Sequence, residues 1–64
     1  MKKYQKVRMT SNRYRCDGIT EGMIGYILEI YDERSCEVEF SDADSGATVA
    51  CQAIDKACFE VIDD

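Results

Sequence analysis

The clearest constraint on the fold is the strict alternation of apolar and polar residues at positions 36–41. Cys36, Val38 and Phe40 alternate with Glu37, Glu39 and Ser41. A period of two is typical of a β-strand with one buried face and one wet face, because successive side chains point to opposite sides of a sheet. The preceding residues 23–31 are rich in β-branched and aromatic types, and residues 32–35 have turn composition. The sequence therefore predicts two neighbouring strands joined by a turn.

The rest of the chain predicts three more strands. They are residues 4–10, 47–53 and 58–62, separated by a long polar loop at 11–22, a turn at 41–46 and a single helical or 3-10 turn at 53–57. Short strands at regular spacing with turns between them are typical of small all-β barrels. We therefore expect an all-β fold, a five-stranded small barrel with one short helical (3-10) turn before the last strand. Closing the barrel would also remove its exposed strand edges.

Regular alternation in the second strand divides its side chains between two faces. Ile24, Tyr26, Leu28 and Ile30 are expected on one face, and Ile27, Glu29 and Tyr31 on the other. Because Glu29 belongs in water, Tyr31 is expected to point outward with it. Gly22 is expected to permit a sharp turn out of the loop, and Gly25 to let the strand pass close to a neighbour without a Cβ clash.

Length and composition limit the class of protein. Sixty-four residues predict one domain covering 1–64, and a composition 45% hydrophobic and 33% charged is globular. No apolar run is long enough for a membrane helix, and the lysines near the N-terminus are not followed by an apolar segment. We therefore expect a cytoplasmic protein without a membrane anchor.

The reactive residue types argue against catalysis and metal binding. The chain has no histidine, and its four cysteines contain no C-x-x-C pair. Zinc sites and Ser-His or Cys-His nucleophiles need those residues, so we expect no enzymatic activity, no metal and no cofactor. Cys36, Cys51 and Cys58 lie in strand-like segments and are expected to act as small apolar residues. Cys16 lies beside Arg13 and Arg15, so a redox role for it stays open.

Charge is distributed unevenly along the chain. Residues 1–15 carry six basic side chains and no acidic one, whereas residues 16–64 carry two basic and all thirteen acidic side chains, a formal charge of −11. If the first strand lies beside the acidic strands, Lys6 and Arg8 would neutralise part of that charge. Otherwise the asymmetry indicates charged partners.

The segment from Gly22 to Asp42 resembles a known family. Its pattern G-x-I-G-Y-I-L-E-I-Y-D-x-x-x-x-E-V-E-F-x-D is similar to that of short, functionally uncharacterised bacterial barrel proteins, and its G-x-x-G-x-I start resembles SH3-like barrels of the KOW type. The resemblance implies an SH3-like barrel. It also implies an accessory protein encoded beside a larger toxin-like partner, and hence an immunity protein or antitoxin. Tyr26 and Arg34 depart from the family pattern, in which a small residue and a turn glycine are usual. The cysteines Cys36 and Cys51 are further departures.

The acidic residues are the predicted partner-binding site. The set comprises Glu29, Tyr31, Asp32, Glu33, Glu37, Glu39, Asp42 and Asp44. Glu29, Glu37 and Glu39 are expected to project from strands two and three as one negative surface, with the other acids at the turns. Tyr26 or Tyr31 is expected to be the packing anchor, and Tyr31 is favoured because it shares its face with Glu29. The expected partner is one larger, basic protein such as a toxin domain, bound by a monomer or weak dimer. The alternative for the acidic residues is solubility alone.

Two other functions compete with that hypothesis. Arg13, Tyr14 and Arg15 combine basic and aromatic side chains, as RNA-binding loops do, with Lys2, Lys3, Tyr4 and Asn12 nearby in sequence. The strongly acidic remainder of the chain would repel nucleic acid, which makes this KOW-like role the less favoured one. A small regulatory subunit of an enzyme complex is the third hypothesis.

Overall fold

A computed structural model of the chain describes residues 2–42 and 44–62. The elements in chain order are strand β1 (Lys6–Met9), 3-10 turn η1 (Arg15–Asp17), strands β2 (Ile24–Ile30), β3 (Ser35–Ser41) and β4 (Thr48–Asp55), 3-10 turn η2 (Lys56–Cys58) and strand β5 (Phe59–Ile62). The predicted all-β fold, its five strands and the 3-10 turn before the last strand are confirmed. Strand β4 runs to Asp55, so that η2 lies slightly later in the chain than the sequence predicts.

The strands form one antiparallel sheet in the order β4-β3-β2-β1-β5. The sheet is barrel-like, and its two end strands are connected directly through η2. Among the described residues, β4 and β5 do not pair with each other. The expected removal of both sheet edges by closure therefore does not occur, and β4 has β3 as its one sheet neighbour.

A β-bulge in β2 corrects the prediction of which side chains share a face. Ile27 pairs with Val38, but Glu29 pairs with Glu37, so that Leu28 is the extra residue. The bulge moves the alternation by one position. Ile27, expected outside with Glu29, is fully buried, and Tyr26, expected on the opposite face from Glu29, is 43% exposed.

Gly25 confirms the expected close approach of strands. A Cβ at this position would lie 2.7 Å from Val38 Cγ1 and 2.8 Å from both Glu39 O and Phe40 Cδ1. No side chain fits in that space without moving the backbone of β3. Gly22 likewise confirms the turn predicted for it, because its φ of +92° lies in the region that glycine adopts most readily.

The core lies inside the curved sheet. Its buried members are Val7, Met9, Ile19, Ile27, Cys36, Val38, Phe40, Ile54, Cys58 and Phe59. The alternating residues of β1 and β3 supply half of them, as their sequence patterns predict. Ile19 comes from the polar loop and is fully buried in the core, so this loop packs against the core. No sequence period marks it, because a lone apolar residue in a polar loop carries no repeat.

Candidate functional site

Acidic and aromatic side chains share the outer surface of β2 and β3. Glu29 lies directly opposite Glu37, and Tyr26 lies directly opposite Glu39. Directly opposed residues in an antiparallel pair have Cβ atoms about 5 Å apart on the same face. We call the surface formed by Tyr26, Glu29, Tyr31, Glu37 and Glu39 the acidic face. The structure thus brings together the three glutamates and the tyrosine that the sequence singled out.

Within the acidic face, Tyr31 is hydrogen-bonded to Glu37. Its hydroxyl donates a hydrogen bond of 2.8 Å to Glu37 Oε1, and the side chain remains largely exposed. This hydrogen bond, with desolvation and the surrounding negative charge, raises the pKa of Tyr31 above the usual value for a tyrosine. The neutral phenol is therefore favoured, and its hydrogen bond orients the Glu37 carboxylate.

Basic residues near the N-terminus neutralise part of the surface. Lys3 Nζ lies 3.4 Å from Glu29 Oε2, and Arg8 on β1 forms an ion pair with Glu60 on β5. Lys6 lies opposite Tyr26 in the pairing of β1 with β2. Within the described part of the chain, the Glu39 carboxylate has no hydrogen bond or ion pair. Negative charge is therefore concentrated at Glu37 and Glu39, on the side of the face that adjoins β4.

Cys51 lies beside the acidic face and is exposed, whereas the sequence predicts a small apolar residue at this position. It pairs with Glu39 across β3 and β4, and its thiol is exposed. Desolvation, followed by the charges of Glu37 and Glu39, raises the pKa of Cys51. The Cys51 thiol is therefore harder to deprotonate than a free cysteine thiol. Cys36 and Cys58 are buried as expected, with Cys58 in η2 rather than in a strand.

Two of the predicted acids organise turns. Asp32 Oδ1 accepts hydrogen bonds from the backbone N–H groups of Arg34 (2.7 Å) and Ser35 (2.9 Å). These bonds lower the pKa of Asp32. Asp42 Oδ1 accepts hydrogen bonds from the backbone N–H groups of Asp44 (2.7 Å) and Ser45 (3.1 Å). Their carboxylates therefore shape the backbone, as is common for aspartate in turns.

The turn acids lie at opposite ends of β3. Asp32 and Glu33 precede the strand and Asp42 and Asp44 follow it, so the seven residues of β3 separate the two groups by about 20 Å. Glu33 and Asp44 are exposed. The structure places both turn groups as flanks of the acidic face, and does not gather them into one cluster.

Tyr26 belongs to the acidic face although the sequence did not include it in the site. Its exposed ring lies opposite Glu39 because the bulge at Leu28 aligns Tyr26 with Glu29. The bulge depends on the pairing of β2 with β3, and neither glycine nor proline marks it in the sequence. Nothing in the local sequence pattern identifies Tyr26 as outward.

An open cleft lies between the β2–β3 turn and η2. It has a volume of about 650 Å³ and is lined by Ile30, Asp32, Glu33, Arg34 and Lys56. Arg34 O accepts a 2.6 Å hydrogen bond from Lys56 N, which fixes one wall. The lining mixes two cations with two carboxylates, so the cleft has no dominant charge that would select a ligand.

The basic loop proposed for RNA is bound to the rest of the fold. Arg13 Nη1 lies 3.5 Å from Asp55 Oδ2, and the Arg13 guanidinium lies 5.6 Å from the centre of the Tyr14 ring. The Tyr14 hydroxyl accepts a 3.0 Å hydrogen bond from the backbone N–H of Asp55. Arg13 and Tyr14 therefore attach the loop to the end of β4, whereas Arg15 is exposed.

The described residues form neither a metal-binding cluster nor a membrane-spanning helix. Over 2–42 and 44–62, no group of three or more His, Cys, Asp or Glu side chains is arranged to hold a metal ion. The same residues contain no helix long and apolar enough to cross a membrane. Cys16 is exposed in η1, while its neighbour Arg13 is engaged by Asp55.

The fold and the site together define a small all-β, barrel-like chain with a negatively charged outer face. The chain belongs to the family described as Domain of unknown function (DUF4926), whose model matches residues 5–61. The match is consistent with the uncharacterised family that the sequence pattern resembles, and the SH3-like, KOW and toxin-immunity assignments stay predictions. No curated protein and no solved structure matches the chain.

Proposed function

We propose that this chain is a non-enzymatic binding protein whose acidic face docks on a basic surface of one larger protein. The observation that supports this most is the lateral arrangement of Glu29, Glu37 and Glu39 on two adjacent strands. Like charges opposite each other in a sheet destabilise the fold. Their adjacency therefore favours a binding role over solubility alone, because scattered acids would give solubility without that cost.

The tyrosines of the acidic face provide apolar surface for contact with a partner, which the glutamates do not provide. Tyr26 and Tyr31 are 43% and 54% exposed on either side of the glutamates. Tyrosines at the centre of an interface are common anchors, because they bury a large apolar surface and keep a polar end. Complementary charge accelerates association, whereas the anchors slow dissociation.

The finer proposal is that binding neutralises a toxin, as an immunity protein or antitoxin does. It rests on the family resemblance of residues 22–42 and on the negative charge of the face. Toxins that cut RNA or DNA hold phosphates with basic clefts, and a surface with opposite charge can occupy such a cleft. A regulatory subunit that uses the same face would differ only in its partner.

The test is a pull-down of the tagged protein from its source cells with nuclease treatment, followed by affinity measurement on the recovered partner. We expect one basic protein in stoichiometric amount, bound less tightly as salt concentration increases. The double variant E37K/E39K should then lose at least a hundredfold in affinity while remaining folded by circular dichroism.

The matched control is E21K/E60K, which changes the net charge equally at positions outside the acidic face. It should bind within about threefold of the wild type. Full affinity of E37K/E39K would refute docking through the acidic face. Recovery of RNA or ribosomal proteins that disappears after nuclease would instead favour the RNA hypothesis, which R15Q would then test.

A further inference from the structure

Among residues 2–42 and 44–62, strand β4 has no strand partner on one side of its backbone. In an antiparallel sheet, backbone N–H and C=O groups of successive residues point alternately to the two neighbouring positions. Lys56 N donates to Arg34 O, toward β3, whereas Asp55 N donates to Tyr14 Oη, away from β3. By that alternation, the backbone groups of Cys51 and Ala53 also point away from β3.

The available edge is short and sharply bounded. At one end, the register of β3 with β4 shifts beside Val49, since Phe40 pairs with Ala50 and Ser41 with Thr48. At the other end, Tyr14 occupies the N–H of Asp55. Between these limits, Cys51 and Ala53 present two N–H and two C=O groups. These four groups can form hydrogen bonds with an added extended strand.

The side chains at this edge leave a path to the acidic face. Cys51 pairs with Glu39 and Ala53 with Glu37, and both small side chains are exposed. A strand added beside β4 would have its backbone about 10 Å from that of β3, because neighbouring strands are about 4.8 Å apart. A lysine or arginine opposite Cys51 or Ala53 can extend over these small residues to a carboxylate.

We propose that the partner is held by strand addition at the Cys51–Ala53 edge of β4, through an extended segment with basic residues at alternate positions. Main-chain hydrogen bonds would supply affinity, and pairing of the basic residues with Glu37 and Glu39 would supply selectivity. Charge complementarity favours this occupant over a second copy of the chain, whose net charge of −5 would repel. The inference rests on the proposed function and specifies how the acidic face engages its partner.

The probe is a capped nonapeptide in which lysine alternates with threonine and valine, titrated into the ¹⁵N-labelled protein. In the free protein, the amides of Cys51 and Ala53 should exchange with solvent at least tenfold faster than those of Gln52 and Ile54. At saturating peptide, exchange at Cys51 and Ala53 should slow at least tenfold. E37Q/E39Q should weaken binding at least tenfold, whereas E21Q/E60Q should not.

A second peptide separates strand addition from simple charge attraction. Its lysine amides carry N-methyl groups, which remove the donors facing β4 and retain every charge. Its dissociation constant should be at least tenfold higher than that of the parent peptide. Ala53→Pro should have a similar effect on the parent peptide, because proline is tolerated at an edge position where the N–H points outward.

The outcomes distinguish this inference from the proposed function. Equal binding of both peptides, with wild-type affinity of Ala53→Pro, would overturn strand addition and leave docking through the acidic face intact. Protection of Cys51 and Ala53 that rises with protein concentration in the absence of peptide would identify a second copy as the occupant and overturn the inference. If E37Q/E39Q binds the peptide as tightly as the wild type does, the acidic face has no role in strand addition or in the proposed docking.

Discussion

The hydroxyl of Tyr14 accepts a 3.0 Å hydrogen bond from the backbone N–H of Asp55, 41 residues later in the chain. This bond attaches the loop between β1 and β2 to the end of β4, and the ion pair of Arg13 with Asp55 reinforces it. An aromatic and basic pair that resembles an RNA-binding loop in the sequence therefore has a structural role in the fold.

Tyr14→Phe tests that structural role. The substitution leaves a partly buried backbone N–H without its acceptor, so we expect a loss of about 1 kcal/mol in the free energy of unfolding. Urea denaturation followed by circular dichroism measures the change. Tyr4→Phe is the matched control, because Tyr4 is 73% exposed, and should change stability by less than about 0.5 kcal/mol. Equal stability of both variants would contradict the structural role.

Gly25→Ala should be strongly destabilising. The added methyl would lie 2.8 Å from the Glu39 backbone oxygen, which cannot move without disturbing the pairing of β2 with β3. We expect a loss of about 3 kcal/mol, at the upper end of the range for overpacked cores. Gly22→Ala is the comparison, since its Cβ meets open space and the cost of about 1–2 kcal/mol comes from a positive φ. A smaller loss at Gly25 than at Gly22 would show that β3 moves easily.

Tyr31 should titrate at a higher pH than a free tyrosine, because its hydrogen bond to Glu37 favours the neutral phenol. The raised pKa means that this contribution to stability is present below the unfolded-state pKa and is lost as the pH rises through the folded-state value. In Glu37→Gln, the pKa of Tyr31 should fall. Aromatic ¹H–¹³C spectra recorded from pH 8 to pH 12 measure both values, and identical values in the two proteins would contradict the assigned cause.

Asp32 should contribute to acid stability through its turn. Its hydrogen bonds to the backbone N–H groups of Arg34 and Ser35 lower its pKa, so the carboxylate stabilises the fold above its unfolded-state pKa. That contribution is lost as the pH falls through the lower folded-state value. The stability difference between the wild type and Asp32→Asn, measured by urea denaturation, should therefore shrink as the pH falls from 6 to 2.

Asp44→Asn is the control for Asp32→Asn, because within residues 2–42 and 44–62 the Asp44 side chain accepts no hydrogen bond from a turn backbone. Its stability difference from the wild type should change less over the same pH range. If the two differences follow the same course, the acid dependence reflects general charge repulsion and not the Asp32 turn.

Local patterns in the sequence predict most of the scaffold. The alternation in β3 identifies Cys36, Val38 and Phe40 as core residues, and all three are fully buried. Gly22 and Gly25 are predicted with their physical roles, because one needs a positive φ and the other a close approach. These features depend on residues near each other in the chain, or on the single requirement that one face of a strand be buried.

The candidate site is predicted in part, and its composition changes with tertiary structure. Tyr31 and the three glutamates share one face as predicted, but Tyr26 joins them only through the bulge at Leu28. Asp32 and Asp42 are shown to organise turns. Aspartate in a turn segment favours such side-chain bonds by residue type, and Asp42 confirms them. The bulge depends instead on the pairing of β2 with β3, which residue type does not reveal.

The sequence by itself determines the strand content, the core face of β3 and the concentration of acids after residue 15. The strand content and the core face follow from the alternation of apolar and polar residues. In a regular strand, a period of two is sufficient to distinguish buried from exposed side chains. Tertiary structure decides the register of β2 against β3, the burial of Ile19 and the exposed positions of Cys51 and Ala53 at the end of the sheet. These features arise from contacts between residues distant in the chain. Local alternation does not predict which strands become neighbours.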